Sequence, residues 1–204
     1  IRDMQLPCGA FAASLDADSG DAEGEYYLWQ PSEVDSALDD VAANLFKSRY
    51  GLDEPANFEG SWHLRIHENY TGLTRKSDHE RAEIVQLIEQ SCEKLLGLRQ
   101  QRIAPKRDEK ILTAWNALTV KGMVKAGSLF DQSHMIEAAQ RALDYLLNTM
   151  WDGDRLWAVA ANGEPYIEAY LDDYVYLLDA MMEVLQWQWS DELFECVLQL
   201  ADRM

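Results

Sequence analysis

Apolar residues recur along this chain at intervals of three and four, the period of a helix with one buried face. Val34, Leu38, Val41, Leu45 and Phe46 form the first such stripe. Pro31 suits a first helical turn, Glu33 and Asp35 suit the positive end of its dipole, and Gly51 is the expected stop. Ile84, Leu87, Ile88, Leu95 and Leu98 follow a Ser77–Glu80 capping box and predict a long helix to about Gln101, broken by Pro105. Ile111, Leu112, Trp115, Leu118 and Met123 predict a third helix ending near Gly127. Ser133 is the expected cap of its partner, which carries Ile136, Ala139, Leu143, Leu146, Leu147 and Met150. So short a connection makes these two an αα-hairpin. Helices are expected again over about 168–188 and, after Ser190, over 191–204.

Between the stripes the period changes. Residues 24–29, Gly-Glu-Tyr-Tyr-Leu-Trp, are rich in β-formers and predict a short strand. Residues 51–77 carry Gly51, Pro55, Gly60 and Gly72 and read as a long irregular connection. The Asn162-Gly163 pair after Leu156–Ala160 predicts a second β excursion near 154–160. The whole is mainly α: six helices, most of them in consecutive pairs, with no βαβ pattern, sustained heptad or residue-level repeat.

Composition narrows the classes. The chain has 204 residues, 48% of them hydrophobic and 26% charged, ordinary for one globular domain of good size. The start at Ile1-Arg2-Asp3-Met4 and a last helix running to Met204 without a stop signal lead us to expect a piece of a longer barrel or solenoid. Eighteen basic against 36 acidic residues give a net charge of −18, which disfavours nucleic acid and anionic membranes as partners. No apolar run reaches the roughly 20 residues of a membrane span. Cys8, Cys92 and Cys196 are far apart and odd in number, so a disulfide framework is not supported and a reducing, cytoplasmic setting is expected. Asn69-Tyr70-Thr71 matches a glycosylation sequon, which matters only in a secreted chain.

Candidate chemistry lies in four places. Residues 16–25 hold five carboxylates, Asp16, Asp18, Asp21, Glu23 and Glu25. A calcium loop counted from Asp16 fails, with Gly20 at position 5, Asp21 at 6 and Tyr27 at 12. The run is then either a solvated turn or a carboxylate loop at the mouth of a cavity, beside Tyr26, Tyr27 and Trp29. His63 and His67 have Leu64 where a zincin needs Glu, so no metal site is expected there. Asp108 through Asn116 is expected to open a helix, with Asp108 at its N-terminal end; Trp115 is explained by core packing alone, and a buried Asn116 must find hydrogen bonds. As a second reading, Trp115 and Asn116 stand at a cavity rim, where they stack on and bind a sugar. Asp172 and Asp173 open the next helix beside Tyr170 and Tyr174. Adjacent helical positions project about 100° apart, so one carboxylate can point inward, where desolvation raises its pKa as a general acid requires, while the other faces water or caps the helix. Trp187 and Trp189 read as one core and one rim side chain. No phosphate-binding glycine loop or serine-hydrolase elbow is present, and no cofactor is expected.

Several long motifs together resemble a known family. They are Phe11 to Ser19, Glu23-Gly-Glu-Tyr-Tyr-Leu-Trp29, Asn57-Phe-Glu-Gly60, Arg99-x-x-Arg102-x-x-Pro105-x-x-Asp108-x-Lys110-Ile-Leu-Thr-Ala-Trp115-Asn116, and Leu171-Asp-Asp-Tyr174. They are similar, in this order, to the thioredoxin-domain-containing proteins of the bacterial YyaL type and the animal spermatogenesis-associated thioredoxin-like type. The resemblance implies that residues 1–204 are the first part of an (α/α)6-type toroid like that of six-hairpin glycosidases, without the thioredoxin-like domain or the ring-closing hairpins. Ala117 departs from the family's Gly and is expected to narrow the local cavity. The implied site places Asp18, Glu23, Asp108 and Asp173 as catalytic carboxylates converging at one end of the ring, with Trp29, Trp115, Asn116, Asp172 and Tyr174 binding a small carbohydrate. Inverting hydrolysis needs carboxyl groups roughly 6.5–9.5 Å apart. An epimerase-like toroid wants inward histidines, for which only His63 and His67 are available. The alternative to a glycosidase-like enzyme is a non-catalytic scaffold whose partner is the thioredoxin-like domain or a second copy meeting its open edge.

Overall fold

The computed structural model describes Ile1, residues 3–20 and residues 22–204. The strands in chain order are β1 (Ser14–Leu15), β2 (Asp18–Ser19), β3 (Ala22–Glu23), β4 (Leu28–Trp29), β5 (Trp62–His63), β6 (Arg107–Asp108), β7 (Ile111–Leu112), β8 (Trp157–Ala161) and β9 (Glu164–Glu168). The helices are α1 (Pro31–Ala37), α2 (Asp40–Tyr50), α3 (Tyr70–Lys76), α4 (Arg81–Arg99), α5 (Thr113–Leu129), α6 (Ser133–Tyr145), α7 (Leu171–Trp187) and α8 (Asp191–Ala201). The described chain is therefore mainly α with short strands. It divides into two compact units, one of Ile1–Leu15 with Arg107–Met204 and one of Asp16–Lys106. We call these the outer and the inserted unit.

In the outer unit α5 packs between α6 and α7. The contact faces are small: Ala117 on α5, Ala138, Ala139 and Ala142 on α6, and Ala180 on α7 are fully buried. The predicted αα-hairpin is present. Gly127 is not its stop, since α5 continues to Leu129. A Cβ at Gly127 would lie 2.6 Å from Ile136 Cγ1 and 3.1 Å from the Gln132 carbonyl, so glycine is there to let α6 approach. A π-helical turn, Leu146–Met150, extends α6 and buries Leu146 and Met150 completely. β8 and β9 form the expected hairpin around Asn162-Gly163, with φ of 54° and 83°. These values suit a tight two-residue turn. β7 adds a third strand through Ile111↔Ala160. Ser190 caps α8, accepting from Leu193 N–H at 3.2 Å. Trp187 and Trp189 are both exposed, so neither is the expected core side chain; Trp189 donates to Asp191 and stacks on Phe194.

The inserted unit surrounds Trp29, Val34, Phe46, Leu73, Ile84, Ile88 and Leu95. The first apolar stripe belongs to two helices, not one. Leu38 leaves the helix in extended conformation, and Asp39 caps α2 by accepting from Ala42 N–H at 3.0 Å. Gly51 ends α2 with φ of 76°, the left-handed position that suits glycine. The irregular connection contains α3, capped by Asn69, which accepts from Gly72 N–H at 2.8 Å. The expected Ser77–Glu80 capping box does not form. Ser77 closes α3 by donating to the Leu73 carbonyl, and α4 starts after Glu80. Within 24–29 only Leu28–Trp29 is strand, paired with Trp62–His63; the residues before it turn.

Candidate functional site

The inserted unit holds a cavity of about 560 Å³ whose wall includes Glu23, Glu25, Glu33, Glu59, Tyr26 and Trp29, with Arg102 among them. A second hollow of about 500 Å³ shares Ser19, Gly20, Glu25 and Ile103 with it and adds Asp16, Asp18 and Lys106. The carboxylate run therefore edges open space next to the aromatic run. Of its members, Asp21 lies outside the described residues.

Two local devices build this wall. The first is the β2–β3 pairing, in which Asp18 lies opposite Glu23 and Ser19 opposite Ala22. Directly opposed residues have Cβ atoms about 5 Å apart, and like charges there repel, so Asp18 and Glu23 are held together at a local cost. Buried Ser19 anchors the next turn, its hydroxyl oxygen accepting from Tyr26 N–H at 2.8 Å. The second device is Arg102, just beyond α4. Its guanidinium donates to the carbonyls of Leu28, Tyr26 (3.2 Å) and Glu25 (3.4 Å) and to Glu33 Oε1 (2.9 Å), and lies 4.2 Å from the centre of the Trp29 ring. Arg99 sits 5.2 and 5.3 Å from the Tyr26 and Tyr27 rings. Trp29 is almost wholly buried and has the guanidinium on its ring, so it offers a ligand an edge and not a free stacking face.

The remaining expected site residues belong to the outer unit, so Asp18, Glu23 and Trp29 stand in one compact unit and Asp108, Asp173 and their neighbours in the other. Asp108 does not open a helix. It lies in β6, opposite Ser14, and is half-buried. Its carboxylate accepts from Lys110 N–H at 3.2 Å and meets the Lys110 ammonium at 3.1 Å. The amide first, then the ammonium, hold its pKa below the usual carboxylate value.

Asp173 is the buried partner of the pair and Asp172 the exposed one. One Asp173 oxygen accepts from Tyr170 N–H and the other from Ala114 N–H, both at 3.0 Å. A single carboxylate thus caps α7 and α5 at once. Burial raises its pKa, against the two amide donors, and the Asp172 charge adds to the rise. The inward, desolvated aspartate is present, but both of its oxygens are engaged by backbone.

Asn116 is also engaged. Its Oδ1 accepts from Phe11 N–H at 2.7 Å, and its amide donates to the Phe11 carbonyl (2.9 Å) and the Leu112 carbonyl (3.1 Å). It ties the N-terminal segment to α5. Trp115 is 55% exposed, which core packing does not explain. Ala117 is fully buried among the packed helices of the outer unit, so its methyl fills core and narrows no cavity. Tyr174 is half-buried, and its hydroxyl oxygen accepts from Leu156 N–H at 3.4 Å. His63 and His67 are exposed, and His67 lies 3.3 Å from Glu54.

Arg102, Glu33 and Glu59 were not expected in the site. A signal was available: two arginines three apart at a helix end, with an aromatic run elsewhere that needs partners. Among the described residues no group of three metal-binding side chains comes together, and no helix is long and apolar enough to cross a membrane.

Comparison with known proteins agrees with the resemblance at a coarse level. The chain is 24% identical to human spermatogenesis-associated protein 20 over 98% of its own length, and 25% identical to the rat protein of that name over the same share. It is 26% identical over 94% of its length to an uncharacterised Caenorhabditis elegans protein. It spans 30% of the human and rat proteins and 31% of the nematode one. No family model matches the chain.

Proposed function

We propose that this chain binds a small carbohydrate in the cavity of the inserted unit, as part of a six-hairpin glycosidase-like toroid in a protein that also carries a thioredoxin-like domain. The observation that supports this reading is one cavity edged by Glu23, Glu33 and Glu59 with Tyr26 and Trp29 in the same wall. Carboxylates accept hydrogen bonds from sugar hydroxyls, and the half-buried Tyr26 ring, with the edge of Trp29, offers apolar surface that suits a sugar ring. Binding is favoured over hydrolysis because Asp173 and Asp108, the aspartates expected to act in the outer unit, are engaged by amides and by Lys110.

The test is thermal melting of the chain against a panel of mono- and oligosaccharides. A ligand at 100 times its Kd adds about 2.7 kcal/mol to stability. The expected result is a sugar-specific rise that Glu23→Gln reduces. A cooperative melt unmoved by every sugar overturns the reading. A scaffold role is the second reading, favoured by the exposed Trp115, Leu118, Leu171, Val175 and Met182 on α5 and α7. It predicts concentration-dependent self-association in light scattering, or capture of a separately expressed thioredoxin-like domain.

A further inference from the structure

Arg102 has partners of a kind that a merely solvated arginine lacks. Three carbonyls of the turn Glu25–Leu28, the Glu33 carboxylate and the Trp29 ring converge on one guanidinium. The planar fork can serve several acceptors while stacking on a ring, which an ammonium cannot do. Regular pairing reaches only Leu28, through His63, and Leu28 N–H donates to the Glu25 carbonyl at 3.3 Å; the arginine alone reaches all three carbonyls at once.

The same contacts settle the charge of the cavity. Among its described lining residues Arg102 is the sole cation, and its positive charge is already directed at Glu33 and the carbonyls. Glu23 and Glu59 line the cavity without an ion pair among the described residues, and Asp18 stands opposite Glu23. Within this described lining an entering anion meets carboxylates and a cation already engaged, with Lys106 set in the neighbouring hollow, a costly juxtaposition.

We infer that Arg102 is the positioning residue of this cavity, and that the cavity it shapes admits neutral and amine-bearing sugars and rejects acidic ones. This rests on the reading of the cavity as a sugar site. Two measurements test it. In calorimetric titrations the chain meets three matched oligosaccharides, one of neutral hexoses, one of hexuronates and one of hexosamines, at low and high salt. The hexuronate should bind at least about tenfold more weakly than the neutral sugar, which is roughly 1.4 kcal/mol, and the gap should shrink at high salt and in Glu23→Gln/Glu59→Gln. Hexuronate binding as tight as neutral binding overturns the selectivity and leaves the sugar site standing; no binding by any of the three overturns both. The second measurement takes the near-ultraviolet circular dichroism of Trp29, isolated by subtracting Trp29→Phe, in Arg102→Lys and Arg102→Ala. Both variants should lose the Trp29 signal and sugar affinity together while the helical far-ultraviolet signal stays, and methylguanidinium should restore both in Arg102→Ala. A lysine variant that keeps signal and affinity overturns the positioning role, as does methylguanidinium that restores neither.

Discussion

The two units set opposite charges against their backbones for opposite reasons. In the outer unit the buried group is an anion, Asp173, set where two helix starts leave amide hydrogens without partners. In the inserted unit it is a half-buried cation, Arg102, set where a turn directs three carbonyls toward one point. Each charge answers the backbone groups around it, since helix N-termini present donors and irregular turns present acceptors in excess. The consequences differ. Asp173 is enclosed and both its oxygens are used, so it serves packing. Arg102 borders a cavity, so the wall it holds is available to a ligand.

The largest expected effect breaks the anionic side. Asp173→Ala orphans two amides at the α5 and α7 starts and should cost about 3 kcal/mol in urea unfolding, since each unsatisfied buried group costs roughly 1–3 kcal/mol. A loss under about 1 kcal/mol would mean that water replaces the carboxylate. Asn116→Ala comes next, at about 2 kcal/mol by the same rule, with faster hydrogen exchange at Phe11 N–H as the local readout. Gly127→Ala forces a Cβ against Ile136 and should cost about 1–2 kcal/mol, although alanine is the better helix former.

The pH dependence sharpens the comparison. Asp173 has a raised pKa in the folded chain, so the folded state holds this proton more tightly than the unfolded one. Its contribution to stability is fully present below the ordinary value of about 3.9 and is lost as pH rises through the raised folded value. The stability difference between wild type and Asp173→Asn should therefore change across that window and flatten above it. Asp108, with its lowered pKa, contributes in the opposite sense: its stabilisation is present above the ordinary value and fades as pH falls through the folded one. Because the Asp108–Lys110 pair is solvent-screened, the smallest effect is expected there: Lys110→Ala should leave global stability close to that of wild type, with the nuclear magnetic resonance titration of Asp108 shifting up as the readout.

What was legible in the sequence was local. Apolar spacing located α4 to α8, and Asn162-Gly163 located a hairpin, because the signal for each lies within a few neighbouring residues. The break at Leu38–Asp39 was missed because the apolar stripe continues through it, although aspartate is a good cap. The helix α3 was missed because its own glycine resembled a loop signal, and Asn69 resembled a sequon more than a cap. The carboxylate loop beside aromatics was legible as a candidate cavity edge. Arg102 left only a trace, two arginines three apart at a helix end, because its partners lie about seventy positions or more earlier in the chain and no local period reports them. Asn116 left a trace, an amide in an apolar helix, but its partner Phe11 was invisible from composition.

The pairing of β1 with β6 bears on how the chain is assembled. Leu15 faces Arg107, and the adjoining Asp16 N–H donates to the Lys106 carbonyl at 2.8 Å. The inserted unit thus occupies the loop of what would otherwise be a tight hairpin. In synthesis order, Ser14 and Leu15 meet their β6 partners only after the whole insert has been made. The same topology makes the insert excisable: Leu15 joined to Arg107 through an Asn-Gly turn leaves a hairpin of ordinary geometry, and the outer helices retain every buried contact made within their own unit.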